Sequence, residues 1–146
     1  MAAKAIANDP QKLYLGADVP LRLIRAFARK VAEQFRPEKI ILFGSHAYGT
    51  PHQDSDVDIL VIMPARNELD QSLKIRLAIS APFPMDLIVR TPQKISSRLK
   101  AGDSFHTEIV TKGRVLYEER DARVGAKSRR RLSGVRRSNR RAGSTP

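Results

Sequence analysis

The chain has 146 residues, no cysteine, and 27 Lys/Arg against 15 Asp/Glu, a formal charge of +12. That length suits one domain with a single core, and the lack of cysteine excludes disulfides and thiolate metal sites, leaving oxygen or imidazole to hold any metal. No apolar run reaches bilayer length and the opening MAAKAIANDPQK lacks the apolar core of an export signal, so a cytoplasmic protein without membrane contact is expected.

Residues 1–17 are mixed in composition and read as a flexible lead-in to a domain over residues 18–119. Asp18 is a plausible N-cap, with Pro20 in the first turn. Leu21, Ile24, Phe27, Ala28, Val31 and Phe35 then recur at helical spacing until Pro37 stops the pattern. Lys39 to Phe43 is a short β-rich run ended by Gly44, and Ser45 opens a short helix through about Tyr48. Val57 to Met63 is a second strand, apolar on both faces after Asp58, as a central strand should be. Glu68 to Ser80 reads as a helix on Leu69, Leu73 and Leu77, with Ile75 and Ile79. Met85 to Val89 is a third strand. Thr91-Pro92 opens another helix with Ile95 and Leu99 inward. Phe105 to Val110 reads as a last helix or turn, before Gly113 and the apolar piece Val115-Leu116-Tyr117. The order predicts an α/β (α+β) fold, a small mixed sheet of three or more strands flanked by helices.

From Arg120 onward no hydrophobic period survives. Residues 120–146 hold ten Lys/Arg against Asp121 alone, which predicts a basic, disordered tail able to touch phosphate backbones without sequence preference. It has no aromatic residue, so stacking on single-stranded bases is not expected.

The chemistry lies in LFGSHAYGTPHQDSDVDILVI, residues 42–62. Side chains alternate along a strand, so Asp56 and Asp58 share a face. Two carboxylates so close repel and raise each other's pKa unless a cation neutralises them. Asp86, at the start of the third strand, supplies a third carboxylate if that strand lies beside the second. Gly44 allows close backbone approach, and Ser45 offers a hydroxyl with amides at a helix start, where anions are favoured. Together these residues describe two-metal nucleotidyl transfer, with Mg²⁺ at Asp56, Asp58 and Asp86 and a nucleoside triphosphate at Gly44 and Ser45. Asp86 is also positioned to accept the proton of an attacking hydroxyl.

Gly44-Ser45, a ten-residue connection, Asp56-x-Asp58 and then a strand bearing Asp86 resemble the minimal nucleotidyltransferases of the DNA polymerase β superfamily. The likeness covers about residues 20–119, including the closing GRVLYEE. It implies a nucleotidyltransferase fold, Mg²⁺, and ATP as substrate. It also implies the antitoxin of a two-gene system, a protein adenylyltransferase that moves AMP to a tyrosine of a HEPN-type toxin. Gly44 and Ser45 carry over as triphosphate contacts, and Asp56, Asp58 and Asp86 as metal ligands with catalytic roles.

One departure stands out. Many relatives carry arginine just behind the glycine-serine turn, where this chain has His46 and Tyr48. That motivates a second expectation, a catalytically weak binding module that neutralises its partner by occlusion. A third is a transferase tethered to nucleic acid by its tail. His46, His52 and His106 read as surface or supporting residues rather than ligands, Tyr48 as packing over the turn, and the arginines of residues 22–30 as a solvated helix face.

Overall fold

The computed structural model describes residues 13–119. The readings that fall on residues 1–12 and on the basic segment 120–146 lie outside them. A 3-10 turn, Gly16–Asp18, leads into α1 (Leu21–Phe35), followed by β1 (Lys39–Phe43), α2 (Ser45–Tyr48) and β2 (Val57–Ile62). Then come α3 (Glu68–Ala78), β3 (Met85–Arg90), α4 (Pro92–Lys100), α5 (Ser104–Lys112) and β4 (Arg114–Glu118).

The sheet runs β3-β2-β1-β4. β1 pairs antiparallel with both β2 and β4, while β2 and β3 are parallel. A parallel pair needs a crossover, and α3 supplies it. Helices cover both faces. α1 and α3 pack on Ile40, Leu42, Val57, Ile59, Val61, Leu87 and Val89, through Ile24, Phe27, Val31, Ile75 and Ile79. On the other face Ile95 and Ile109, from α4 and α5, meet Ile41, Phe43, Leu60 and Ile62. A sheet buried on both sides explains why β2 reads as continuously apolar beyond Asp58. The predicted α/β class and mixed sheet are borne out, with the GRVLYEE segment supplying a fourth strand on the edge beside β1. Among the described residues no helix is long and apolar enough to cross a membrane.

Local capping follows the sequence in part. Thr91 accepts from the Lys94 amide (3.1 Å), as its place before Pro92 predicts. Asp18, by contrast, ends the 3-10 turn, and α1 begins after Pro20 without a side-chain cap. At its far end α1 closes on Arg36, in the left-handed region with φ 49°, before buried Pro37. A residue with a Cβ pays roughly 1–2 kcal/mol there relative to a right-handed one, so glycine or asparagine is the usual choice.

Helix α3 turns the opposite way from the reading based on its leucines. Leu69, Leu73 and Leu77 are 68%, 48% and 88% exposed, whereas Ser72, Ile75 and Ile79 are buried. ELDQSLKIRLA carries two apolar stripes, and spacing alone does not choose between them. Ile75 and Ile79 are the stripe that packs into the core, and Glu68 lies on their side. Its Oε2 accepts from the Thr91 amide at 3.0 Å, and its Oε1 sits 3.9 Å from Arg90 Nη1. Those contacts tie the first turn of α3 to the end of β3.

Candidate active site

β1 runs out at Phe43, and its register partner on β2 is Asp58. Asp58 in turn stands directly beside Asp86, because β2 and β3 pair Val57 with Met85 and Asp58 with Asp86. Alternation then puts Asp58 and Asp86 on one side of the sheet, that of α4 and α5, and Asp56, just before β2, lies near enough for its charge to act on Asp58. Asp56 and Asp86 are exposed, and Asp58 is half-buried. Asp58 and Asp86 are thus brought together by register. Among the described residues no three His, Cys, Asp or Glu side chains form a finished metal cage. Asp56 lies outside the strand and Asp86 points to solvent, an open arrangement in keeping with three like charges.

The turn closes over the first of these carboxylates. Gly44 has φ 74° and ψ −162°, a conformation essentially reserved for glycine. A Cβ built there would collide with Oδ2 of Asp58, so the Asp58 carboxylate lies against the glycine backbone. Gly44 O accepts from the amides of Ala47 (3.0 Å) and Tyr48 (3.1 Å), which winds Ser45–Tyr48 into one helical turn. The first amides of that turn, on Ser45 and His46, have no carbonyl within the helix to bond. Ser45 and its neighbours are partly exposed, so the hydroxyl and these amides are open to an anion.

Electrostatics agree with the geometry. Burial pushes the Asp58 carboxyl above the ordinary carboxylate range, the charges of Asp86 and Asp56 push it further, and His46 acts in the opposite sense. A half-buried carboxylate facing two others is an anionic excess that a hard cation relieves. The donor set is all oxygen, which fits Mg²⁺.

The partners of three supporting residues were not legible in the sequence. His46 Nε2 lies 2.9 Å from Gly16 O, so it donates there, and Gly16 is buried. A Cβ on Gly16, at φ 51°, would run into the backbone of Gln53. The 3-10 turn is therefore clamped between the glycine-serine helix and the connection to β2. Tyr48, read as packing over the turn, is 40% exposed, and its hydroxyl donates to Glu108 on α5 at 3.2 Å. Partial burial and then Glu108 raise the Tyr48 phenol, against a lowering by the Gly44 amide. His106, read as a surface or supporting residue, is buried: Arg90 Nε donates to its Nε2 at 3.3 Å, and its Nδ1 lies 3.1 Å from Asp103. Partners thirty and sixty residues apart leave no mark in local sequence.

The pattern of nucleotidyltransferase domains matches residues 24–117. The chain belongs to the nucleotidyltransferase domain family. The matched stretch spans β1 through β4 and contains the glycine-serine turn and all three carboxylates. The nucleotidyltransferase is also 30% identical, over 98 residues, to a protein of Methanocaldococcus jannaschii named for protein adenylyltransferase activity. That alignment takes in 66% of this chain and 96% of the archaeal protein. It is similar as well to a solved structure named as a nucleotidyltransferase of Sulfolobus solfataricus, at 23% identity and a TM-score of 0.42, over 53% of this chain and 71% of that one. A mutant MntA–HpeT toxin–antitoxin structure is similar at 21% identity and the same TM-score, 0.42, over 75% and 83%. The resemblance drawn from Gly44-Ser45 and the three aspartates is thereby borne out at the level of the family.

Proposed function

We propose that this nucleotidyltransferase moves AMP from ATP to a hydroxyl of a partner protein, a tyrosine of a HEPN-type toxin, and acts as that toxin's antitoxin. The observation that carries the reading is the side-by-side register of Asp58 and Asp86 under the Gly44-Ser45 turn. Asp56, Asp58 and Asp86 would hold magnesium, which when bound neutralises the phosphates and acidifies the acceptor hydroxyl. The chain's own residues do the rest. Gly44 brings backbone close to the triphosphate, and Ser45 with its amides orients it. The acceptor oxygen forms a bond to the α-phosphorus while the bond from that phosphorus to the bridging oxygen breaks. Pyrophosphate leaves, and Asp86 takes the hydroxyl proton.

Two features support a protein as acceptor. The archaeal relative is named for protein adenylyltransferase activity. The leucines of α3 present an exposed apolar stripe of the kind that marks protein contact.

The test is incubation with Mg²⁺, ATP labelled at the α- or γ-phosphate, and the product of the neighbouring gene. Label on the partner from α-labelled ATP alone, lost with Asp56→Asn plus Asp58→Asn, is the expected result. Transfer of γ-label, or no label at all, overturns it. The presence of His46 where many relatives have arginine favours a second reading, neutralisation by occlusion alone. In that case the double asparagine variant still binds and silences the toxin.

A further inference from the structure

The chain holds five phenylalanines, three tyrosines and no tryptophan. Of these rings only Phe105 and Tyr48 stand open, 48% and 40% exposed; the others are buried or partly buried. Scattered apolar residues are ordinary on a protein surface, but these two flank the same glycine. Phe105 packs edge to face with Phe43, ring centroids 5.8 Å apart and planes at 89°. Phe43 directly precedes Gly44, and its register partner is Asp58. Three residues on from Phe105, on the same side of α5, Glu108 accepts from the Tyr48 hydroxyl at 3.2 Å. The Gly44 amide acts on that hydroxyl too. One side of α5 therefore reaches the chain on both sides of Gly44.

Phe105 is held in place as well as open. The His106 ring meets it at 5.1 Å and 90°. The His106 amide donates to Asp103 Oδ1 at 2.9 Å, which caps the turn bearing both rings, and the His106 side chain is buried with Arg90 as its partner. A half-open ring fixed in this way is a preformed surface, so little ordering is lost when a flat ligand covers it. Its place across the sheet decides which reactant it serves. Asp86, Asp58 and Phe43 stand in that order on β3, β2 and β1. Phe105 packs at the Phe43 end of that row, beside the turn proposed to hold the triphosphate. Asp86, proposed to take the acceptor's proton, lies at the other end. In-line attack brings the acceptor from opposite the departing pyrophosphate, so the ring flanks the nucleotide and not the incoming hydroxyl.

We infer that Phe105 is the platform on which the nucleobase of the bound triphosphate stacks, an inference that rests on the transferase reading above. The phosphates take the polar and charged groups at Gly44, Ser45 and the aspartates, which leaves the uncharged, planar base to an apolar surface. Phe105 is the open apolar ring on that side, whereas the Tyr48 ring is tied down through its hydroxyl. Every base presents a π face, and stacking on one aromatic side chain strengthens binding about tenfold to a hundredfold.

The lack of tryptophan supplies the probe. Phe105→Trp in the full chain places a single indole at the platform, and stacking against a base should quench its fluorescence. Mg²⁺–ATP should quench it, and Mg²⁺–tripolyphosphate, which has no base, should not. By calorimetry, Phe105→Ala should weaken ATP about tenfold to a hundredfold and leave tripolyphosphate within about twofold, while Phe105→Trp keeps the parental affinity for ATP. Parental ATP affinity in Phe105→Ala, or equal quenching by both ligands, would overturn the platform and leave the transferase reading standing. ATP affinity kept while binding of the partner protein is lost would also overturn it, making Phe105 a protein contact. A parent chain that binds no Mg²⁺–ATP would overturn the transferase reading and the platform together.

Discussion

Asp58→Asn is expected to abolish the proposed AMP transfer and, in the presence of a chelator, to raise the melting temperature at neutral pH. Both effects come from one placement. Asp58 sits between the Gly44 turn and Asp86, half-buried, with its carboxyl pushed up by burial and by Asp86 and Asp56. An acid whose folded pKa lies above its unfolded value stabilises the fold fully below the unfolded value, about 3.9, and loses that contribution as pH rises through the folded value. At pH 7 the ionised group is therefore a burden that asparagine removes. The stability advantage of the variant should shrink as pH falls toward the unfolded value, which thermal melts across pH 4–8 would record. Magnesium should stabilise the parent and not the variant. Activity should fall about a thousandfold or more, corresponding to roughly 4 kcal/mol of lost transition-state stabilisation. A variant with near-parental kcat would remove Asp58 from the mechanism.

Gly44→Ala should cost both fold and function. The alanine Cβ meets the Asp58 carboxylate, and φ 74° with ψ −162° is a region alanine hardly visits. We expect a loss of roughly 2–4 kcal/mol, combining backbone strain and the forced shift of Asp58. For a domain of this size that lowers the melting temperature by about 10–20 °C. Gly49→Ala is the control. Gly49 also has positive φ, 80°, but its Cβ would meet nothing within 4 Å. It should lose about 1 kcal/mol and keep most activity. If the two variants behaved alike, close contact between Gly44 and Asp58 would play no part.

What could be read from the sequence, and what could not, divides by range. The strand predicted over Val57 to Met63, observed over Val57–Ile62, announced itself because a strand buried on both faces must be apolar throughout, and the aspartates that break that rule point to the candidate site. Asp86 was legible because it stands at the start of its own strand, as Asp58 does near the start of β2. Helix α3 was misread at its leucines because two stripes fit its period, and only packing against the sheet, through Ile75 and Ile79, tells them apart. Asp18 fits the composition of an N-cap, yet its chain is drawn into a 3-10 turn, and His46 bonds the buried Gly16 of that turn. Glu108 reaches Tyr48 across sixty residues, and no local pattern announces it. Local rules picked out the candidate carboxylates; tertiary contacts set the side chains around them.

The most direct test of the account is a crystal structure with Mg²⁺ and an ATP analogue that cannot be cleaved between the α- and β-phosphates. The triphosphate is expected against Gly44 and Ser45, with metal density between it and Asp58 and Asp86. A nucleotide bound elsewhere, or one seated at the turn with Asp86 making no contact to metal, would contradict it.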